Sequence, residues 1–115
     1  MAPRVAALAV CALIACKGKD AANTTDLDKR CEQLAKTCGD NDKHVAKIVE
    51  ECKQAAKTQA AKGCTDKAIA AYDCYEKELC GKGDNVWTLD DLRVLTERHT
   101  KCVAERNASR ECADK

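Results

Sequence analysis

Two stretches of equal length, CTDKAIAAYDC at residues 64–74 and CVAERNASREC at residues 102–112, each place nine residues between a pair of cysteines. Both sit in segments whose apolar residues recur at helical spacing. In the first, Ile69, Tyr72, Tyr75 or Glu76, and Leu79 recur, which predicts a helix from Thr65 or Asp66 to about Cys80. Gly81-Lys82-Gly83-Asp84-Asn85 then breaks the pattern. The second segment begins after Thr88, which faces Asp91 in the spacing of a capping box. Leu89, Leu92, Leu95, His99, Cys102 and Val103 share one face, which predicts a single helix running on towards Cys112.

Two further helical segments precede this pair. Residues 26–38 carry Leu27, Cys31, Leu34 and Cys38 at i, i+4, i+7 and i+11, with Thr25 as the expected N-cap, Asp28 three residues on, and Gly39 as C-cap. Residues 43–62 carry a narrow stripe of Val45, Ile48, Val49, Cys52 and Ala56, opened by Asp42 and ended by Gly63. No window alternates strictly, so no sheet is expected. The patterns predict an all-α fold: a small, disulfide-stapled, antiparallel bundle of three to four helices.

Such a bundle has little to bury. The 115-residue chain contains no Phe, one Trp and two Tyr, and much of its apolar content is Ala, which contributes little area to a core. Small exported domains with that deficit are commonly stapled by disulfides. The ten cysteines supply the means. Charge is balanced and interspersed: 20 Lys and Arg stand against 19 Asp and Glu, and without Arg4 the two signs cancel. Nucleic-acid binding needs a clustered basic surface, so that class of partner is excluded, and there is no polybasic stripe for anionic lipids.

The N-terminus reads as an export signal. Arg4 precedes VAALAVCALIA at residues 5–15, eleven apolar residues, well short of the roughly 20 that span a bilayer as a helix. The end of that run, Leu13-Ile14-Ala15-Cys16, resembles the lipobox of bacterial lipoproteins. The resemblance implies removal of residues 1–15, acylation of Cys16, and attachment to the lipid bilayer through it. Cys11 competes poorly because Val10 fills the small-residue position before it. Lys17, rather than aspartate, follows the lipidated position, which by the same resemblance favours the outer membrane, with the domain in the periplasm or at the cell surface. The expected organisation is a removed leader (1–15), a lipidated N-terminus and short polar tether (16–24), and one disulfide-rich helical domain (25–115). With Cys11 discarded and Cys16 acylated, eight cysteines are left to pair.

From Cys31 onward the cysteines are separated by 6, 13, 11, 9, 5, 21 and 9 residues. None forms C-x-x-C, so neither a thioredoxin-like redox pair nor a zinc ribbon is supported. The paired C-x9-C stretches are similar in geometry to the twin C-x9-C helical hairpins of the mitochondrial intermembrane space, where an outer and an inner disulfide join two antiparallel helices. That resemblance implies the bridges Cys64–Cys112 and Cys74–Cys102; both pairs have Thr88 as their midpoint, so one antiparallel register serves both. It carries a phase problem, because ten residues at about 100° leave two cysteines about 80° apart around a helix, and helix winding is expected to absorb it. In an up-down bundle Cys38 and Cys80 end their helices on the same side, while Cys31 and Cys52 lie about equally far from the first turn. Cys31–Cys52 and Cys38–Cys80 complete one of the 105 connectivities open to eight cysteines.

No residues form a catalytic set. Asp40-Asn41-Asp42-Lys43-His44, with Glu51 at the twelfth position, has the outline of an EF-hand loop, but Val45 replaces the glycine of its sharp turn. Helix capping explains the acidic pair, and no metal or cofactor is expected. His99 reads as a packed residue at the edge of the core and His44 as a surface residue; two histidines without a spaced nucleophile do not make a triad. Trp87 is the best single candidate for contact with a partner, against the alternative that it plugs the end of the bundle. Together these features predict a membrane-anchored, cysteine-rich lipoprotein that acts as a non-enzymatic binding or structural module at the bacterial cell envelope. Two alternatives stay open: a carrier of a small apolar ligand, and an envelope thiol-disulfide factor. Peptide mapping of the unreduced protein is the first check: it should return four bridges and no free thiol among the cysteines after Cys16.

Overall fold

A computed structural model describes residues 23–115. The leader, the lipobox residues Leu13-Ile14-Ala15-Cys16 and the tether as far as residue 22 lie outside the described residues. Within them the chain is all-α, with five helices and no strand: α1 (Thr25–Cys38), α2 (Asp42–Ala61), α3 (Thr65–Glu78), α4 (Leu89–His99) and α5 (Val103–Asp114).

Helix starts follow local chemistry, with two shifts of one residue from the sequence expectation. Thr24, not Thr25, precedes α1. Its hydroxyl donates to Asp28 at 2.9 Å, while the Asn23 side chain accepts the Thr25 N–H at 3.0 Å. Asn41, not Asp42, caps α2: it has the extended backbone an N-cap needs and accepts the His44 N–H at 3.0 Å. Asp42 already lies in the first turn, where its charge complements the helix dipole. Thr88 and Asp91 form a complete capping box at α4. The α1–α2 turn is tight because Gly39 lacks a side chain. A Cβ there would lie 2.8 Å from Val45 Cγ2 and 3.0 Å from the Ala35 carbonyl oxygen.

The expected single helix from Thr88 towards Cys112 is instead two, α4 and α5. The break falls at Thr100 and Cys102, both left-handed, at φ 55° and 62°. Its cause is the bridge geometry. Cys102 is bonded to Cys74 and Cys112 to Cys64, so both must face α3. On one continuous helix they would point about 80° apart. Placing Cys102 at the N-cap of α5 frees it from helical phase. Cys64 does the same job as the N-cap of α3, with φ −104° and ψ 16°. Cap residues, rather than altered helix winding, absorb the mismatch.

The helices are stitched where they pack. Cys31–Cys52 joins α1 to α2 and Cys38–Cys80 joins the end of α1 to the segment after α3. Cys64–Cys112 and Cys74–Cys102 join α3 to α5 twice. These partners match the sequence expectation, with Cα separations of 4.8–5.9 Å. The buried core is small: Leu27, Leu34, Ile48, Leu79, Val86 and Leu92 are its largest wholly enclosed apolar side chains, Tyr72, Tyr75 and Leu95 are nearly so, and Cys31, Cys52 and Cys64 fill further enclosed positions. Four bridges contribute up to about 2–4 kcal/mol each by restricting the unfolded chain, although their loops interlock and the contributions do not simply add.

Thr100 bears a local cost. A β-branched residue in the left-handed region loses about 1–2 kcal/mol, which glycine avoids at an entropic cost of about 0.5–1 kcal/mol. Thr100→Gly is expected to raise stability by up to about 1 kcal/mol and the thermal midpoint by a few degrees, and Thr100→Val is not. Thermal unfolding followed by circular dichroism checks both.

Candidate functional site

Tyr72 and Tyr75 of α3, together with Ala71, form the floor of an open groove of about 520 Å³. One wall is a stripe of α2 at i, i+3, i+4 and i+8: Glu51, Gln54, Ala55 and Gln59. The facing wall is a stripe of α5 at i, i+3, i+4 and i+7: Arg106, Ser109, Arg110 and Ala113. Leu89, Asp90 and Arg93 of α4 close one end. Gln59 Nε2 donates to Ser109 Oγ at 3.1 Å, bridging the two walls, while Gln59 Oε1 is buried without a hydrogen-bond partner.

The α5 wall is unusual in its chemistry. The buried residues of α5 are Arg106 and Ser109, with no large apolar side chain between them. The Arg106 guanidinium donates to Thr96 Oγ1 at 2.7 Å, to Glu97 at 3.2 Å and to the Asn107 side-chain Oδ1 at 3.0 Å. Thr96 in turn donates to the Arg93 carbonyl oxygen at 2.6 Å. A charge-assisted network of this kind is stable when buried because each polar group has a partner. The acids near the groove are engaged as well: Glu51 accepts the Leu89 N–H at 2.8 Å and pairs with Lys47, and Asp90 pairs with Arg93.

Burial pushes both phenols up to about 12, and for Tyr75 the nearby charges of Arg106, Arg93 and Arg110 pull the other way without overcoming it. Glu105 acts on Tyr75 in the same direction as burial.

The residues singled out from the sequence lie elsewhere. Trp87 is 52% exposed. Its ring stacks on His44, with centroids 5.4 Å apart, and its Nε1 donates to Asp40 at 3.3 Å. His44 also pairs with Asp40, whose carboxyl is held below its ordinary range by that bond. The neighbour Val86, not Trp87, is buried in the core. His99 is not packed at the core edge: it is exposed and bonds Asp84 at 2.9 Å, because α4 ends there and turns outward at Thr100. Among the disulfide cysteines, Cys31, Cys52 and Cys64 are wholly enclosed. Sequence reading missed the groove because its arginines belong to two helices that the apolar stripe had fused into one. The i, i+4 pair Arg106 and Arg110 was the available signal.

The phenols make the groove sensitive to alkali. In the unfolded chain tyrosine ionises near 10, so between about pH 10 and 12 the unfolded state has lost protons that the folded state keeps, and stability falls as pH rises. Each unit of difference corresponds to about 1.4 kcal/mol. The 295 nm absorbance of Tyr72 and Tyr75 should rise with a midpoint near 12 or together with unfolding, and a midpoint near 10 with the fold intact would contradict their burial.

No protein-family model, no curated protein and no solved structure matches this chain.

Proposed function

We propose that the chain is a lipid-anchored binding module of the bacterial cell envelope, attached through Cys16 and acting without catalysis. The observation that carries this reading is the partition of its sulfurs. Every cysteine after Cys16 is bridged within the folded domain. Cys16 therefore has no partner among them, and it stands at the end of Leu13-Ile14-Ala15, where a lipobox carries its acylated cysteine. Four bridges also suit an oxidising compartment such as the periplasm or the cell surface. Two or more acyl chains, at about 0.8 kcal/mol per buried methylene, make such attachment stable.

A second reading, carriage of an apolar ligand, is favoured by the groove between α2 and α5. A thiol-disulfide factor would have to cycle through a bridge containing the half-buried Cys74 or Cys112, since Cys31, Cys52 and Cys64 have no exposed surface and a cycling bridge needs an accessible sulfur.

Intact mass of the membrane-extracted protein is the test. The expected mass is that of residues 16–115 plus acyl groups, less eight hydrogens for four bridges. Cys16→Ala is expected to leave residues 1–15 attached and to remove the acyl mass. An unacylated chain recovered from the aqueous fraction would overturn the reading.

A further inference from the structure

We propose that the groove over Tyr72 and Tyr75 is a binding site for a long-chain carboxylic acid, its chain lying along the trough and its carboxylate set against the arginines of α4 and α5. This rests on the binding half of the function proposed above and is independent of the anchor.

The shape of the groove argues for a chain. Its α2 wall runs from Glu51 to Gln59, eight residues at 1.5 Å each, or about 12 Å. The α5 wall runs alongside from Arg106 to Ala113. Alanines at 55, 71 and 113 leave the space between the walls unfilled. The result is a trough, and its volume of about 520 Å³ lies inside the 300–1,000 Å³ typical of ligand sites. It stays open because α5 brings no large apolar side chain to fill it and because two bridges to α3 hold α5 in place regardless.

The charge argues for an acid. Arg93, Arg106 and Arg110 all line the groove that Tyr75 lines. Arg110 is the one of the three with no ion-pair partner among the described residues, since Arg93 pairs with Asp90 and Arg106 with Glu97. Asp90 is paired with Arg93, and Glu51 is turned to the α4 N-terminus and Lys47. Arg106 is held by Thr96, Asn107 and the exposed Glu97. An apolar floor beside a guanidinium cluster suits a ligand with a hydrocarbon body and one negative head, since carboxylates accept charge-assisted bonds from arginine.

The test uses the full chain with Cys16→Ser, which cannot be acylated, purified with its four bridges formed. The probe is cis-parinaric acid, a fluorescent long-chain carboxylic acid, titrated into the protein and then displaced. Saturable one-to-one binding is expected, reversed by palmitate and at least tenfold less well by its methyl ester, which keeps the chain and removes the charge. Arg110→Ala, an exposed change that leaves the fold intact, is expected to weaken binding about tenfold, the loss of one charge-assisted bond. Ala55→Trp is expected to abolish it by filling the trough, with circular dichroism and the bridge count unchanged. Binding that survives both substitutions is binding elsewhere on the chain and overturns the proposal. Equal displacement by the ester, no binding at all, or a dimer that Ala55→Trp dissociates overturns it too. None of these outcomes bears on acylation of Cys16, which the intact mass reads separately.

Discussion

The arrangement of this domain depends on the two bridges that hold α5 against α3. In most helical bundles a helix docks because it buries an apolar stripe. Helix α5 has no such stripe: the residues it buries are Arg106 and Ser109. Burial would not keep it in place, and sulfur does. Cys64–Cys112 and Cys74–Cys102 fix both its ends in antiparallel register on α3. The same constraint breaks the preceding helix, because Cys102 can reach Cys74 only from a cap position, with φ at 62°. Helix α5 packs on α3 without a large apolar side chain, and a groove lined by the largely buried Tyr72 and Tyr75 is left beside it.

Helix α4 is held in the opposite way. It contains no cysteine, so Leu92 and Leu95 anchor it by burial, and polar contacts finish the task. Glu51 of α2 accepts the first N–H of α4, and Arg106 of α5 reaches Thr96 near its end. Arg106 serves two ends at once, tying α4 to α5 and lining the groove. A buried guanidinium is costly unless its donors are met, and here Thr96, Glu97 and Asn107 meet them. The cluster of Trp87, His44 and Asp40 does comparable work at the other end of α4, where the ring of an exposed tryptophan covers the start of α2.

Helical period, caps and cysteine spacing carried much of this in plain view. Leu27, Cys31, Leu34 and Cys38 mark one buried face of α1, and Ile48, Cys52 and Ala56 mark that of α2, because the spacing of buried residues is a local property of a helix. The glycines at 39 and 63 punctuate the chain as expected. The repeated nine-residue interval indicated that α3 and its partner share one register, which follows from the equal rise of antiparallel helices. The shared sulfur pairing was legible for that reason.

The tertiary structure decided what depends on two elements at once. The break at Thr100 has no glycine or proline to announce it; it exists because Cys102 and Cys112 must both face α3. His99 continues an apolar period on paper, yet it points to Asp84 because its helix ends beneath it. Arg93, Arg106 and Arg110 look like ordinary charged residues along the chain and line one groove with Tyr75 only after α4 and α5 fold apart. Local order and its sulfur pairing thus belong to the sequence alone, while the site belongs to the packing, since convergence of side chains from different helices is fixed by where those helices are held.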